Sequence, residues 1–118
     1  MAAFNGNKVF LTGEVADVST ASSVRIPIVD DLEGEVVNVT TVLGGAIGTA
    51  NAVLTISKNN ASMGTVTIAT ASSAEGDTDT LNPTSVNRYL VAGDWLEVTT
   101  NGASTNTVPV GFTVVVKR

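Results

Sequence analysis

Residues 87–100 read NRYLVAGDWLEVTT, and the fold class can be read from this stretch. Two strand-like runs, Arg88–Val91 and Trp95–Thr99, flank Gly93-Asp94. Glycine reaches the positive φ of a tight turn without steric cost, and aspartate tolerates that region while bonding nearby backbone. Beyond the turn, Leu96 and Val98 point one way and Trp95, Glu97 and Thr99 the other. This is the period of two that marks a strand with one buried face. The spacing predicts a hairpin, with the chain's single Trp and single Tyr inside it, as the nucleus of an all-β core.

Outward from this stretch the same signals repeat. On its C-terminal side Asn101-Gly102 is a turn signal. Thr107–Lys117 then sets Val108, Val110, Phe112, Val114 and Val116 on one face, the clearest core strand of the chain. On its N-terminal side Ser72–Ser85 (SSAEGDTDTLNPTS) reads as one long polar loop, of a length that is usually functional or mobile. Before it, Asn51–Lys58 and Thr65–Ala71 predict a second hairpin around Asn59–Gly64, with Ala52, Leu54, Ile56, Val66 and Ile68 inward. Gly44–Ala50 is a flexible loop. Glu35–Leu43 (EVVNVTTVL), rich in β-branched residues, is a central strand. Asp30–Gly34 is an acidic turn. Val24–Val29 holds Pro27, which cannot donate to a ladder and so marks an edge strand or a bulge.

Residues 1–23 differ. Lys8–Leu11 is strand-like, but Ser19–Ser23 is a soft polar connector, so 1–23 reads as an N-terminal arm or edge segment outside the core, and 24–118 as the domain. No apolar run has helical spacing with a cap before it. Val and Thr make up 36 of the 118 residues, and both favour strands. About eight antiparallel strands with turn signals between them predict a single-domain jelly-roll β-sandwich, with an immunoglobulin-like sandwich as the alternative.

Composition narrows the chemistry. The chain has no Cys and no His, which removes thiolate sites, disulfides and the usual general base. A net charge of −5 argues against a nucleic-acid partner. The uncharged stretch Val36–Ser57 carries too many Asn, Thr and Gly residues for a spanning helix, so no membrane partner is expected. The N-terminus lacks a basic segment followed by an apolar one, so no signal peptide is expected, and the sequons at Asn38 and Asn60 read as chance.

The candidate sites are few. Glu75, Asp77 and Asp79 alternate in the long loop and are weak candidates for a Ca²⁺ site, although the EF-hand spacing is missing. Asp30, Asp31, Glu33 and Glu35 form a second acidic patch, read as a solvated turn that guards an edge rather than as an acid/base pair. Tyr89 and Trp95 read as core or contact residues, since each buries a large area behind a polar handle. Arg25 and Arg88 are expected to pair with carboxylates, either of a partner or within the chain. No cofactor and no catalytic residue are expected.

A resemblance adds to this reading. Gly34–Val39 running into Val42–Ile47, Ala52–Ile56 and Gly64–Ile68 form one part of the pattern. Ala74–Asp79 leading to Asn82–Thr84, Val91–Val98 and Asn101–Thr105 complete it. From about Val24 onward the chain resembles the capsid decoration, or cement, proteins of tailed bacteriophages. The resemblance implies a jelly roll, a homotrimer on the outside of the head, the major capsid protein as partner, and synthesis in the host bacterial cytoplasm. With it, capsid contacts are expected from Phe4, Lys8, Phe10, Arg25, Asp30 and Asp31. Tyr89, Trp95 and Phe112 are expected in the core or the trimer interface. Deletion of residues 2–20 is expected to abolish capsid binding and spare the fold. The alternative function is a receptor- or glycan-binding domain of a head or tail fibre, gripping sugar through Trp95 or the 72–85 loop.

Overall fold

The computed structural model describes residues 2–118, with side chains from Gly6 onward. The strands are Ala2–Asn5 (β1), Lys8–Val15 (β2), Ser22–Pro27 (β3), Gly34–Leu43 (β4), Ala52–Lys58 (β5), Ala61–Ile68 (β6), Thr78–Leu81 (β7), Tyr89–Leu90 (β8), Trp95–Thr100 (β9) and Val110–Lys117 (β10). Two single 3₁₀ turns, Asp30–Leu32 and Val86–Arg88, are the helical elements among the described residues.

The strands form two antiparallel sheets. One has the order β1-β2-β10-β4-β7, with β8 also on β4; the other is β3-β9-β5-β6. The pairing is nested: β5 with β6, β4 with β7, β3 with β9, β2 with β10. That is one long hairpin rolled into two layers, the jelly-roll arrangement of eight strands. The immunoglobulin-like alternative is thereby set aside. The core lies between the layers. Val110, Phe112, Val114 and Val116 of β10 face Leu54, Ile56, Leu96 and Val98 of the other sheet, all buried. Fully burying such a side chain contributes about 1.5–3 kcal/mol.

Several elements follow the sequence reading. β10 alternates as predicted, β4 is interior, and β3 with Pro27 is the edge of its sheet. The second hairpin forms, but its turn is two residues, Asn59 (φ 50°) and Asn60 (φ 69°), rather than Asn59–Gly64, and β6 starts at Ala61 rather than Thr65. Both are left-handed, as a type I′ turn requires.

Three expectations are corrected. The turn at Gly93-Asp94 exists, but the runs on either side of it do not pair. Tyr89–Leu90 joins β4 in one sheet, and Trp95–Thr100 joins β3 and β5 in the other. The turn therefore carries the chain across the sandwich, fixed by Gly93 N donating to Ile28 O (3.0 Å) and Ile28 N to Asp94 O (2.9 Å). Second, residues 8–18 are core rather than arm: β2 lies between β1 and β10, and Val9, Leu11, Val15 and Val18 are buried. Removing residues 2–20 would strip an interior strand, so the expectation that this deletion spares the fold is withdrawn. Third, the 72–85 loop contains β7. Its polar sequence, TDTL, is that of an edge strand with little to bury.

The loops sort to two ends. Turns 6–7, 28–33, 59–60 and 91–94 lie at one end, here the tight-turn end; connections 16–21, 44–51, 69–77 and 101–109 lie at the other, the long-loop end. Both outer faces carry a hydroxyl row straight across four strands. Thr12, Thr113, Thr40 and Thr80 are in register on the six-stranded sheet, and Ser23, Thr99, Thr55 and Thr65 on the other.

Candidate contact surface

Turn residues are normally polar, because a turn is solvated on most sides. The tight-turn end departs from this. Val29 is 57% exposed, Val91 58%, Tyr89 48% and Trp95 36%. With Val86, they make five of the six exposed large apolar residues among the described residues. Concentrations of exposed apolar surface mark contact sites.

The backbone beneath them is tied down from several directions. Glu33 Oε2 accepts from Ala92 N at 2.6 Å. Asp94 Oδ2 accepts from Val91 N at 2.9 Å, and its Oδ1 from Asn59 Nδ2 at 2.8 Å. Asn59 and Trp95 exchange bonds, Trp95 N to Asn59 Oδ1 (3.0 Å) and Asn59 N to Trp95 O (3.1 Å). The bonds to Val91 N and Asn59 hold the Asp94 carboxyl below the usual carboxylate range.

Arg88 organises the neighbouring corner. Its Nε donates to Glu35 Oε2 at 2.7 Å, its Nη1 to the carbonyls of Thr84 and Ser85 at 2.8 Å each, and its Nη2 to the Tyr89 hydroxyl at 2.7 Å. The guanidinium lies 4.5 Å from the Tyr89 ring centroid. The bond to Glu35 strengthens its hold on the proton. Arg25 pairs with Glu97 at 2.6 Å on the outer face of the four-stranded sheet. Both expected ion pairs are thus internal, and the rigid corner presents Tyr89 to solvent with little entropy left to lose.

The structure brings Lys8, Asp30, Asp31, Tyr89 and Trp95 to this one end. Phe10 is half-buried on the outer face of the six-stranded sheet, two residues further in. Arg25 sits on the opposite face. The side chain of Phe4 lies outside the described residues. Phe112 is buried in the core, whereas Tyr89 and Trp95 are not core residues. Val29 and Val91, expected as the ends of strands, lie beyond them in turns, and neither they nor Val86 are among the expected contact residues, although valine beside Asp30 or Ala92-Gly93 is the signal.

Charge divides along the same axis. All six basic residues lie toward the tight-turn end, together with six of the eleven carboxylates. The other five, Glu14, Asp17, Glu75, Asp77 and Asp79, lie at the long-loop end with no base. The net charge of −5 therefore resides there. Glu75, Asp77 and Asp79 do not converge: among the described residues no group of three or more acidic side chains is placed to hold a metal ion. Asp77 Oδ2 instead accepts from Ala74 N at 2.9 Å. Asp79 is pushed up, first by burial and then by the charge of Asp77. Every buried polar side-chain atom among the described residues has a partner, and no helix among them is long and apolar enough to cross a membrane.

Neither a family model nor a curated protein matches this chain. Solved structures do. CBM35 from Cellvibrio japonicus Abf62 aligns at 18% identity and a TM-score of 0.44, covering 98% of this chain and 75% of that one. A chain of the acidic stable capsid structure of Helicobacter pylori bacteriophage KHP30 aligns at 15% identity and a TM-score of 0.56. That alignment covers 100% of this chain and 94% of the other, so this small β protein shares its fold, end to end, with a chain of a phage capsid.

Proposed function

We propose that the chain is a non-enzymatic structural protein of a phage particle, which binds the outside of the capsid as a homotrimer and stabilises the mature head. The observation that carries this reading is the whole-length fold likeness to a chain of a phage capsid structure. The pinned, apolar tight-turn end supports it, because a preorganised surface loses little entropy on docking. In this reading Lys8, Phe10, Asp30 and Asp31, with Phe4 and Arg25, meet the major capsid protein. Tyr89 and Trp95 lie between copies. Each trimer bridges adjacent capsid subunits and adds interface that internal pressure must break. The protein is made in the host cytoplasm and ends on the capsid exterior.

Two measurements test it. Light scattering coupled to size exclusion should give three times 12.0 kDa; a monomer would count against the trimer. Purified chain should bind expanded, undecorated capsids, and Asp30→Lys/Asp31→Lys should weaken binding about tenfold or more while leaving the melt unchanged. Equal binding by that variant would remove the acidic turn from the contact. Binding to a glycan array that is lost on Trp95→Ala would replace the capsid reading with the sugar-binding one.

A further inference from the structure

The outer face of the six-stranded sheet repeats, on a small scale, the charge division of the whole chain. Lys8 and Lys117 are cross-strand neighbours at its tight-turn edge, and Glu35, on the other side of Lys117, is already paired with Arg88. Glu14, beside Gly111, faces out at the opposite edge, six residues and roughly 20 Å along β2. Between them run Phe10 with Val115 and then the hydroxyl row. No strand among the described residues covers this face.

We propose that this face docks a second copy of the chain, antiparallel and face to face. The two-fold axis lies in the interface and crosses the strands between the Phe10–Val115 step and the hydroxyl row. That operation lays β2 on β2 and β10 on β10, and an interface of this kind meets itself twice. Lys8 of each copy stands against Glu14 of the other. Lys117 stands over Gly111 of the other copy, where a Cβ would meet nothing within 4 Å, so the notch is open to receive it. The parallel arrangement would put Lys on Lys and Glu on Glu. The polarity thus selects both the occupant and its direction. Phe10 and Val115 pack on threonine methyls at the centre.

Four to five strands of this length offer roughly 600 Å² per copy, at the low end for a specific interface. The association is accordingly weak in solution and salt-sensitive. It uses a face different from that of Trp95, which lies on the other sheet, but it draws on Lys8 and Phe10, so a copy docked here takes those two side chains from the capsid contact proposed above.

The test is sedimentation equilibrium on the full chain at low salt, following self-association of its smallest native species. Lys8→Glu alone and Glu14→Lys alone should each raise the dissociation constant about tenfold or more, and the double exchange should restore it to within about twofold. Gly111→Leu, built into open space, should block association with an unchanged circular dichroism spectrum. Wild-type association by the single variants, or no recovery in the double exchange, would overturn the proposal. A trimer that persists in the charge variants and falls apart on Trp95→Ala would leave the trimer reading intact.

Discussion

Two aspartates make opposite use of their charge. Asp79, at the start of β7, is raised by burial and by its neighbour Asp77. Its charged form is the disfavoured one in the fold, so its contribution is best below the unfolded carboxylate range and declines as pH rises through the raised value. At neutral pH the charge destabilises the fold. Asp79→Asn should therefore raise the melting midpoint at pH 7 by about 2 °C, the shift that a few tenths of a kcal/mol gives in a chain this size. The advantage should vanish in a melt near pH 3, where the wild-type carboxyl is protonated in both states. Asp94, held low by Val91 N and Asn59, has the opposite sign. It stabilises above the unfolded carboxylate range, and the benefit is lost as pH falls through its folded value. Asp94→Ala should lower the midpoint at pH 7 and matter progressively less in acid, in the same set of melts.

Among the elements, β1 and β2 separate an edge from the core. A chain lacking residues 2–7 loses only the edge strand and should keep a cooperative melt. A chain lacking residues 2–20 loses Val9, Leu11, Val15 and Val18 from the core and should show no cooperative melt, as circular dichroism with heating would report. Burial patterns explain which elements were legible in the sequence. β10 places four apolar residues on one side, and Pro27 cannot donate, so both announce themselves. β7 shows almost nothing, because a strand that fills an edge with threonine and one half-buried leucine has no apolar period. The 93–94 turn was legible as a turn, but turn chemistry sets only the local reversal. The sheet that the next strand enters is chosen by long-range partners, here Ile28 and Asn59. For the same reason the gathering of Lys8, Asp30, Tyr89 and Trp95 at one end could not be read from their spacing. It follows from the nesting of strands.

For the whole molecule, five unopposed carboxylates at one end repel each other through solvent. Raising NaCl from about 10 mM to about 200 mM shrinks the screening length from roughly 30 Å to below 10 Å. The melting midpoint should rise over that interval, by about one to three degrees on the scale of surface charge effects. A fall would mean that the Arg25–Glu97 and Arg88–Glu35 pairs outweigh the repulsion. The nested pairing also has a consequence in time. Each pair brackets the one inside it, so β5 and β6 meet across two residues, while β2 must wait for β10, the last of these strands in chain order. Until then the Val9–Val15 segment has β1 on one side and an open edge on the other, and loop closure of this length is slow. The interval between synthesis and closure is when such a chain is most exposed to mispairing with its neighbours. Protection during that interval falls to what the ribosome and chaperones provide, rather than to any bond of the finished sandwich.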